Sequence, residues 1–226
     1  MTLPTPAYAV IVAGGSGLRM GAALPKQFLD LCGKPVLYYS IKAFIDALAG
    51  VRIILVVPED HTSLVQKVLE AFDEPIDLTI VAGGDTRYAS VAAGLKEVPA
   101  ESIVLVHDGA RPLISPELIR RCYACANTNG SGVPVIPVAD SIRQVSSFSN
   151  RAIARENLRS VQTPQAFASD LLQQAFHQPY VPAFTDEASV VEWMGGTIHL
   201  VEGERSNLKI TTPEDMVIAA ALLGER

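Results

Sequence analysis

The sequence predicts an α/β protein built on a mostly parallel sheet with helices on both faces. Apolar runs of strand length alternate with segments of helical periodicity, the pattern of repeated β-α units. Several helical segments open with Pro or an acidic residue, as helix starts do. The polar motifs fall just after apolar runs, and the carboxyl ends of parallel strands are where such sheets collect ligands. With 226 residues, 49% of them hydrophobic, the chain has material for one full core and is read as a single domain without repeats or low-complexity segments.

The first element is the apolar run Tyr8 to Ala13, a buried strand. Helix Pro35 to Leu48, strand Arg52 to Val57, helix Glu59 to Phe72, strand Leu78 to Val81 and helix Tyr88 to Glu97 follow. Strand Ile103 to His107, helix Pro116 to Ala126 and strand Val133 to Val138 continue the alternation. Helix Asp186 to Met194, strand Thr197 to Val201 and helix Pro213 to Leu223 complete it. The stretch Ala139 to Phe167 breaks the pattern: it is polar, rich in Ser and Arg, and its short apolar pairs suit a hairpin that buries no face of its own. It is read as an arm that packs on a second subunit, with a solvated flap as the alternative.

The first strand opens into Gly14-Gly15-Ser16-Gly17-Leu18-Arg19-Met20, with Pro25-Lys26-Gln27 beyond. Glycines let backbone N–H groups approach an anion closely, and Arg19 and Lys26 supply the charge that glycines lack, so the loop reads as a phosphate cradle for a nucleotide. It is not a Walker A loop, which needs Gly-Lys-Ser/Thr at its end. A dinucleotide fingerprint is disfavoured because Met20 stands where a third small residue is needed, and neither Asp30 nor Asp46 clearly ends a strand to bind a ribose. An ordinary glycine-rich turn is the bland alternative.

Three later motifs also follow strands. Gly83-Gly84-Asp85 allows close backbone approach, with Asp85 able to accept from a base amino group and Ser90 offering a hydroxyl; a tight turn with an Asp N-cap accounts for the same residues, and Arg87 for a surface charge. His107-Asp108-Gly109-Ala110-Arg111 places a carboxylate to bind a ribose hydroxyl or a metal with a cation three residues on, or forms an Asp-Gly turn with a salt bridge. Ser206-Asn207-Leu208-Lys209 sets one Lys among apolar neighbours, where it either snorkels or works. Arg155, Gln162, Thr163 and Gln165 close the arm, and Thr185-Asp186-Glu187 opens a helix with a Thr cap and two acids that read foremost as capping residues.

Composition excludes other classes. A balance of 18 basic against 24 acidic residues argues against nucleic-acid or anionic-membrane binding, so any anionic substrate must be caught by local cations. Met1 to Pro6 lacks a basic leader, and no apolar stretch approaches the about 18 residues of a membrane span, so cytoplasmic residence is expected. Cys122 and Cys125 have metal-like spacing without a second pair or a nearby His, which favours free thiols; Cys32 stands near the first loop.

Taken together in order, Ala13-Gly14-Gly15-Ser16-Gly17-Leu18-Arg19-Met20, Pro25-Lys26-Gln27, Gly83-Gly84-Asp85, His107-Asp108-Gly109-Ala110-Arg111-Pro112, Thr163-Pro164-Gln165, Thr185-Asp186-Glu187-Ala188 and Asn207-Leu208-Lys209-Ile210-Thr211 resemble the 2-C-methyl-D-erythritol 4-phosphate cytidylyltransferases from end to end. The resemblance implies a Rossmann-like nucleotidyltransferase fold with a protruding β-arm. It implies transfer of CMP from CTP to methylerythritol 4-phosphate, with pyrophosphate released, in the non-mevalonate route to isoprenoids. It also implies Arg19, Lys26 and Lys209 as catalytic cations, and Ala13, Gly14, Gly15, Ser16, Gly17, Gly83, Gly84, Asp85, Ser90 and Asp108 as nucleotide contacts. Asp108, Arg111, Ser141, Arg155, Thr163, Thr185 and Lys209 match positions that hold the polyol phosphate, some of them on the partner subunit of a homodimer. Mg²⁺ is expected to ride on the CTP phosphates. Ser141 stands where the family commonly has Thr, and Ser206 where an acid is common. A ribitol 5-phosphate cytidylyltransferase would share the nucleotide half and differ in its polyol contacts, and a non-catalytic CTP-sensing domain would share the fold; three retained cations argue against the latter.

Overall fold

The computed structural model describes residues 3–15 and 24–224. Along the chain run β1 (Ala7–Val12), the short pair β2 (Asp30–Leu31) and β3 (Lys34–Pro35), α1 (Val36–Ala47), β4 (Arg52–Val57), α2 (Thr62–Leu69), β5 (Leu78–Ala82), α3 (Arg87–Leu95) and β6 (Ile103–Asp108). Next come α4 (Pro116–Asn129), β7 (Ser131–Pro137), β8 (Ile142–Val145), β9 (Asn150–Ile153), β10 (Arg159–Val161), β11 (Gln165–Ala168), α5 (Ser169–Ala175), α6 (Glu187–Trp193), β12 (Leu200–Glu202) and α7 (Pro213–Gly224).

An eight-stranded sheet has the order β10-β7-β11-β6-β1-β4-β5, with β12 also pairing β7. β1 is parallel to both neighbours, β4 and β6. The chain runs outward from β1 through β4 to β5, then returns to β6 on the other side of β1. The crevice beyond the ends of β1 and β6, where Val12 pairs with Asp108, is therefore the topological switch point of the sheet.

The alternation of β1 feeds two cores. Ala7, Ala9 and Ile11 pack with Leu37, Ile41 and Phe44 of α1 and with Leu118 and Ile119 of α4. Tyr8 and Val10 pack with Val91 and Leu95 of α3, Leu172 of α5 and Val191 of α6. Both faces are apolar because helices cover both, the reason a parallel strand reads as an unbroken hydrophobic run. Each fully buried Val, Leu or Ile contributes about 1.5–3 kcal/mol. α3 sits close to the sheet: a Cβ added at Gly94 would lie 2.7 Å from Val10 Cγ1 and 2.9 Å from Val56 Cγ2.

Helix ends follow their local chemistry. Thr86 caps α3 by accepting from Ala89 N, and Ser115 caps α4 ahead of Pro116 by accepting from Leu118 N. Gly130 ends α4 at φ 85°, in the left-handed region that favours glycine. The cap of α6 is Asp186, in a reciprocal box with Ser189, and not the expected Thr185.

Two expectations change. The segment read as helix from Glu59 is a three-residue 3-10 turn followed by the shorter α2. The stretch read as an arm from Ala139 to Phe167 divides: β8 and β9 form a separate two-stranded hairpin, whereas β10 and β11 return to the main sheet antiparallel to β7. The sheet recaptures the chain because Ala166 and Phe167 are fully buried there. Five steps along the returning chain, from Val161 to Ala166, oppose three along β7, from Val135 to Gly132, so a bulge surrounds Thr163. α5 had no counterpart in the sequence reading.

Candidate active site

A cleft of about 320 Å³ opens at the switch point, lined among others by Ala13, Gly14, Gly15, Lys26, Asp85, Ser90, Asp108 and Lys209. Ser16, Gly17 and Arg19 lie outside the described residues. Five chain segments apart in sequence thus meet over the ends of β1 and β6, which is where parallel-sheet geometry predicts a ligand.

The first wall is backbone. Gln27 is buried and donates from Nε2 to Ala13 O at 2.5 Å and to Gly15 O at 3.3 Å. By occupying the carbonyls, Gln27 holds the shape of the loop after β1; the sequence reading had assigned it no role. A Cβ at Gly15 would lie 4.0 Å from Lys26 Cε, so the Lys26 stem runs beside the loop.

On the second wall, Ser90 in the first turn of α3 grips the preceding loop, accepting from Gly84 N and donating to Gly84 O, both at 3.2 Å. A Cβ at Gly84 would lie 2.6 Å from Ala89 Cβ, and one at Gly83 would lie 3.0 Å from Ser90 Oγ, so both glycines let the loop pack closely on α3. Thr86 does the capping, so Asp85 is left exposed on the cleft.

The floor is an ion cluster on Asp108. Its Oδ1 lies 3.3 Å from Arg87 Nε, and its Oδ2 lies 2.9 Å from Lys209 Nζ and 3.5 Å from Arg111 Nε. Burial would raise this carboxyl, but Arg87, Lys209 and Arg111 together hold it well below the usual carboxylate range. Arg87 is no surface charge: its Nη1 and Nη2 meet Glu187 Oε1 and Oε2 at 2.5 and 2.9 Å. Glu187 is not a cap either, because it is 1% exposed and spends both oxygens on that fork. Burial works to lower the Arg87 pKa, but Glu187 and then Asp108 outweigh it and raise it.

Below the floor lies a buried polar network, in which Asn207 Oδ1 has no hydrogen-bond partner. Asp108 N donates to Thr163 Oγ1 at 3.1 Å, His107 Nδ1 is 3.1 Å from the same hydroxyl, and His107 Nε2 is 3.3 Å from Arg111 O. A carbonyl only accepts, so Nε2 carries the proton and Nδ1 accepts from Thr163. Burial pushes the His107 imidazole down to about 3, in keeping with this neutral form. Asn207 Nδ2 donates to Thr163 O, and Asn207 O accepts from Arg111 Nη1. Gln162 clasps Glu204, and Gln165 clasps Asp186 and Ala188 N, so the residues that close the arm each pin a different wall of the site.

Ser141, Arg155 and Thr185 are exposed. Arg155 donates to Ala139 O at the root of the hairpin, and Thr185 shares a shallow depression with Arg87 and Glu187. Ser141 and Arg155 do not line the cleft of their own chain. Among the described residues no group of three or more His, Cys, Asp or Glu gathers as metal ligands. Cys122 and Cys125 are free thiols, and burial pushes Cys122 up to about 12. Among the described residues no helix is long and apolar enough to cross a membrane.

A glycine loop after β1 and cations around a switch-point cleft mark the class, an α/β nucleotidyltransferase. Comparison with known proteins narrows the class. Residues 7–225 match the family model described as "IspD: 2-C-methyl-D-erythritol 4-phosphate cytidylyltransferase", and the chain belongs to that family. A 2-C-methyl-D-erythritol 4-phosphate cytidylyltransferase of Bacteroides thetaiotaomicron is 45% identical over 214 residues, 95% of this chain and 98% of the relative. The solved 4-diphosphocytidyl-2C-methyl-D-erythritol synthase of Anaerococcus prevotii superposes with a TM-score of 0.82 at 29% identity, over 97% of this chain and 96% of that one. The Thermus thermophilus 2-C-methyl-D-erythritol 4-phosphate cytidylyltransferase gives 0.74 at 32% identity, over 95% and 98%.

Proposed function

We infer that this enzyme transfers the cytidylyl group of CTP to the phosphate of 2-C-methyl-D-erythritol 4-phosphate and releases pyrophosphate. The observation that carries the reading is the single cleft in which the Gly14-Gly15 backbone, Lys26, Asp85 and the Asp108–Lys209 pair converge. An acceptor phosphate oxygen attacks the α-phosphorus in line; a P–O bond forms, the bond to the β-phosphate oxygen breaks, and its electron pair leaves with pyrophosphate. Such a step needs positioning and charge neutralisation more than covalent help.

In this reading the loop after β1 cradles the triphosphate, with Arg19 and Lys26 neutralising charge as it moves to the leaving group. Gly83, Gly84, Asp85 and Ser90 form the cytosine side. Asp108, Arg111, Thr163, Thr185 and Lys209 form the acceptor side, and Lys209, 39% exposed, is placed to shift from Asp108 to an incoming phosphate. Mg²⁺ would neutralise triphosphate charge. The Asp108 oxygens already face three cations, so the donor set suits an ion carried by the nucleotide and not a cage of the protein's own.

The hairpin β8–β9 supports a homodimer. Val145 and Phe148 are 75% and 100% exposed on it, and Ser141 and Arg155 at its base would complete a neighbouring protomer's acceptor site. Cytoplasmic residence belongs to the same reading.

The test is CTP-dependent pyrophosphate release with Mg²⁺, run in parallel with methylerythritol 4-phosphate and ribitol 5-phosphate. Release with the first alone is expected. Release with ribitol 5-phosphate alone would move the assignment to that acceptor, and CTP binding without release would make this a sensing domain.

A further inference from the structure

The sheet leaves one rung unmade where β1 meets the cleft. Ala13 N donates to Val56 O at 2.8 Å, which carries the parallel pairing of β1 with β4 one residue past Val12. The next rung would run from the N–H of residue 58 to Ala13 O. Residue 58 is Pro and has no N–H to give, while Ala13 is buried and its carbonyl requires a donor. Gln27 fills the gap: its Nε2 carries two N–H groups, and the structure gives them two acceptors, Ala13 O at 2.5 Å and Gly15 O at 3.3 Å. Phe28 beside it packs edge-on against His61, just past Pro58, which sets this segment beyond the end of β4.

The consequence falls on Gly14. Its N–H shares a planar trans peptide with Ala13 O, so the two point in opposite directions, and the N–H faces away from Gln27 toward β6. That is the side on which Val12 O accepts from Gly109 N at 2.9 Å. Gly14 is exposed and lines the cleft with Asp108 and Ala110, and among the described residues its N–H has no acceptor.

We propose that Gln27 is a positioning residue, which stands in for the ladder donor that Pro58 lacks and so holds the Gly14 N–H in the cleft as a donor to a phosphate oxygen of the nucleotide. An ionised Glu has the same reach but no N–H, so it cannot take the place. The inference rests on the reading above of this loop as the triphosphate cradle, and it adds that the end of β4 and the Gln27 amide set the cradle's direction.

The experiment compares wild type, Gln27→Met, Pro58→Ala and the double variant. Met keeps the bulk of Gln27 and removes both N–H groups; Ala at 58 returns a backbone N–H to the ladder. Dissociation constants for CTP with Mg²⁺ and for cytidine are measured beside melting temperatures, and the amide resonances of the wild type are followed as CTP is added. Gln27→Met is expected to weaken CTP by about tenfold to a hundredfold, the weight of one hydrogen bond to a charged group, and to leave cytidine unchanged. Pro58→Ala alone is expected to bind as wild type, since a carbonyl has two lone pairs and accepts both donors. The double variant is expected to regain most of the lost CTP affinity, and the Gly14 amide proton of the wild type to move downfield. Equal weakening of CTP and cytidine overturns the proposal, because general loosening of the fold would do the same. A double variant no tighter than Gln27→Met also overturns it. Should Gln27→Met fail to fold, the double variant and the wild-type amide shift decide. CTP bound with the Gly14 amide unmoved would sink this inference alone. CTP bound with that amide shifted, but no pyrophosphate released with either acceptor, would sink the functional reading alone, and a wild type that binds no CTP would sink both.

Discussion

Arginines are used in two opposite ways in this molecule. At the end of β6, Arg87 and Arg111 are largely withdrawn from water and committed to Glu187, Asp108 and Asn207. On the β8–β9 hairpin, Arg143 and Arg151 are exposed and donate only to Asn150 and Gln144 on the facing strand. In the first region the fold uses buried partners to fix the cations' geometry. In the second it has left the charge in solvent beside uncovered Val145 and Phe148, where only a partner could use it. Residue type alone does not separate these cases; the environment does.

The sharpest way to break the contrast is truncation. Arg87→Ala strands the Glu187 carboxylate in the core and should lower unfolding free energy by about 3–5 kcal/mol, whereas Arg151→Ala should stay within about 0.5 kcal/mol. Urea titrations giving similar losses for both would remove the distinction.

Acid should expose the same buried network. The imidazole of His107 titrates near 6.5 in the unfolded chain and at about 3 in the fold. Between those values the unfolded state binds a proton that the fold refuses, so stability falls as pH falls through about 6.5, by about 1.4 kcal/mol per unit. His107→Asn should flatten that slope between pH 6.5 and 4.5; an unaltered slope would assign the acid sensitivity elsewhere. The depressed Asp108 carboxyl acts lower still, since its contribution is present above the unfolded carboxylate range and is lost only as pH falls beneath it.

Thr163→Val removes a hydroxyl shared by His107 and Asp108 N and should cost about 1–3 kcal/mol by melting. Smallest for the folded chain is Phe148→Asp, which should leave the circular dichroism spectrum unchanged while weakening self-association about tenfold or more in sedimentation. Unaltered association would return the hairpin to a solvated flap.

Much of this was legible in the residues. β1, β4 and β6 are buried on both faces, so they read as apolar runs without competition from any helical period. Lys26, Asp85, Asp108 and Lys209 stood out because each follows or interrupts an apolar segment, and they do meet in one cleft. β11 and α5 stayed hidden: one is four residues long inside a polar stretch, and the other is seven residues without a capping side chain. The Arg87–Glu187 fork was invisible because each partner has a sufficient local explanation, surface charge and helix start, and only tertiary packing brings them together across 100 positions. The start of α6 was legible to within one residue, with the cap on Asp186 and not on the expected Thr185, since capping is settled within four residues.

Gly94 carries a further consequence. Arg87, Ser90 and Gly94 are spaced to share one side of α3, and at 1.5 Å per residue Gly94 lies about 10 Å along the axis from Arg87. The bare backbone at Gly94 meets Val10 and Val56, so it sets how deeply the helix seats and, through it, where the cleft's two α3 side chains stand. A methyl group at Gly94 touches no substrate, yet it would raise the whole lever. A chain altered there could remain folded and fail at turnover, imitating an active-site lesion from the far end of a helix.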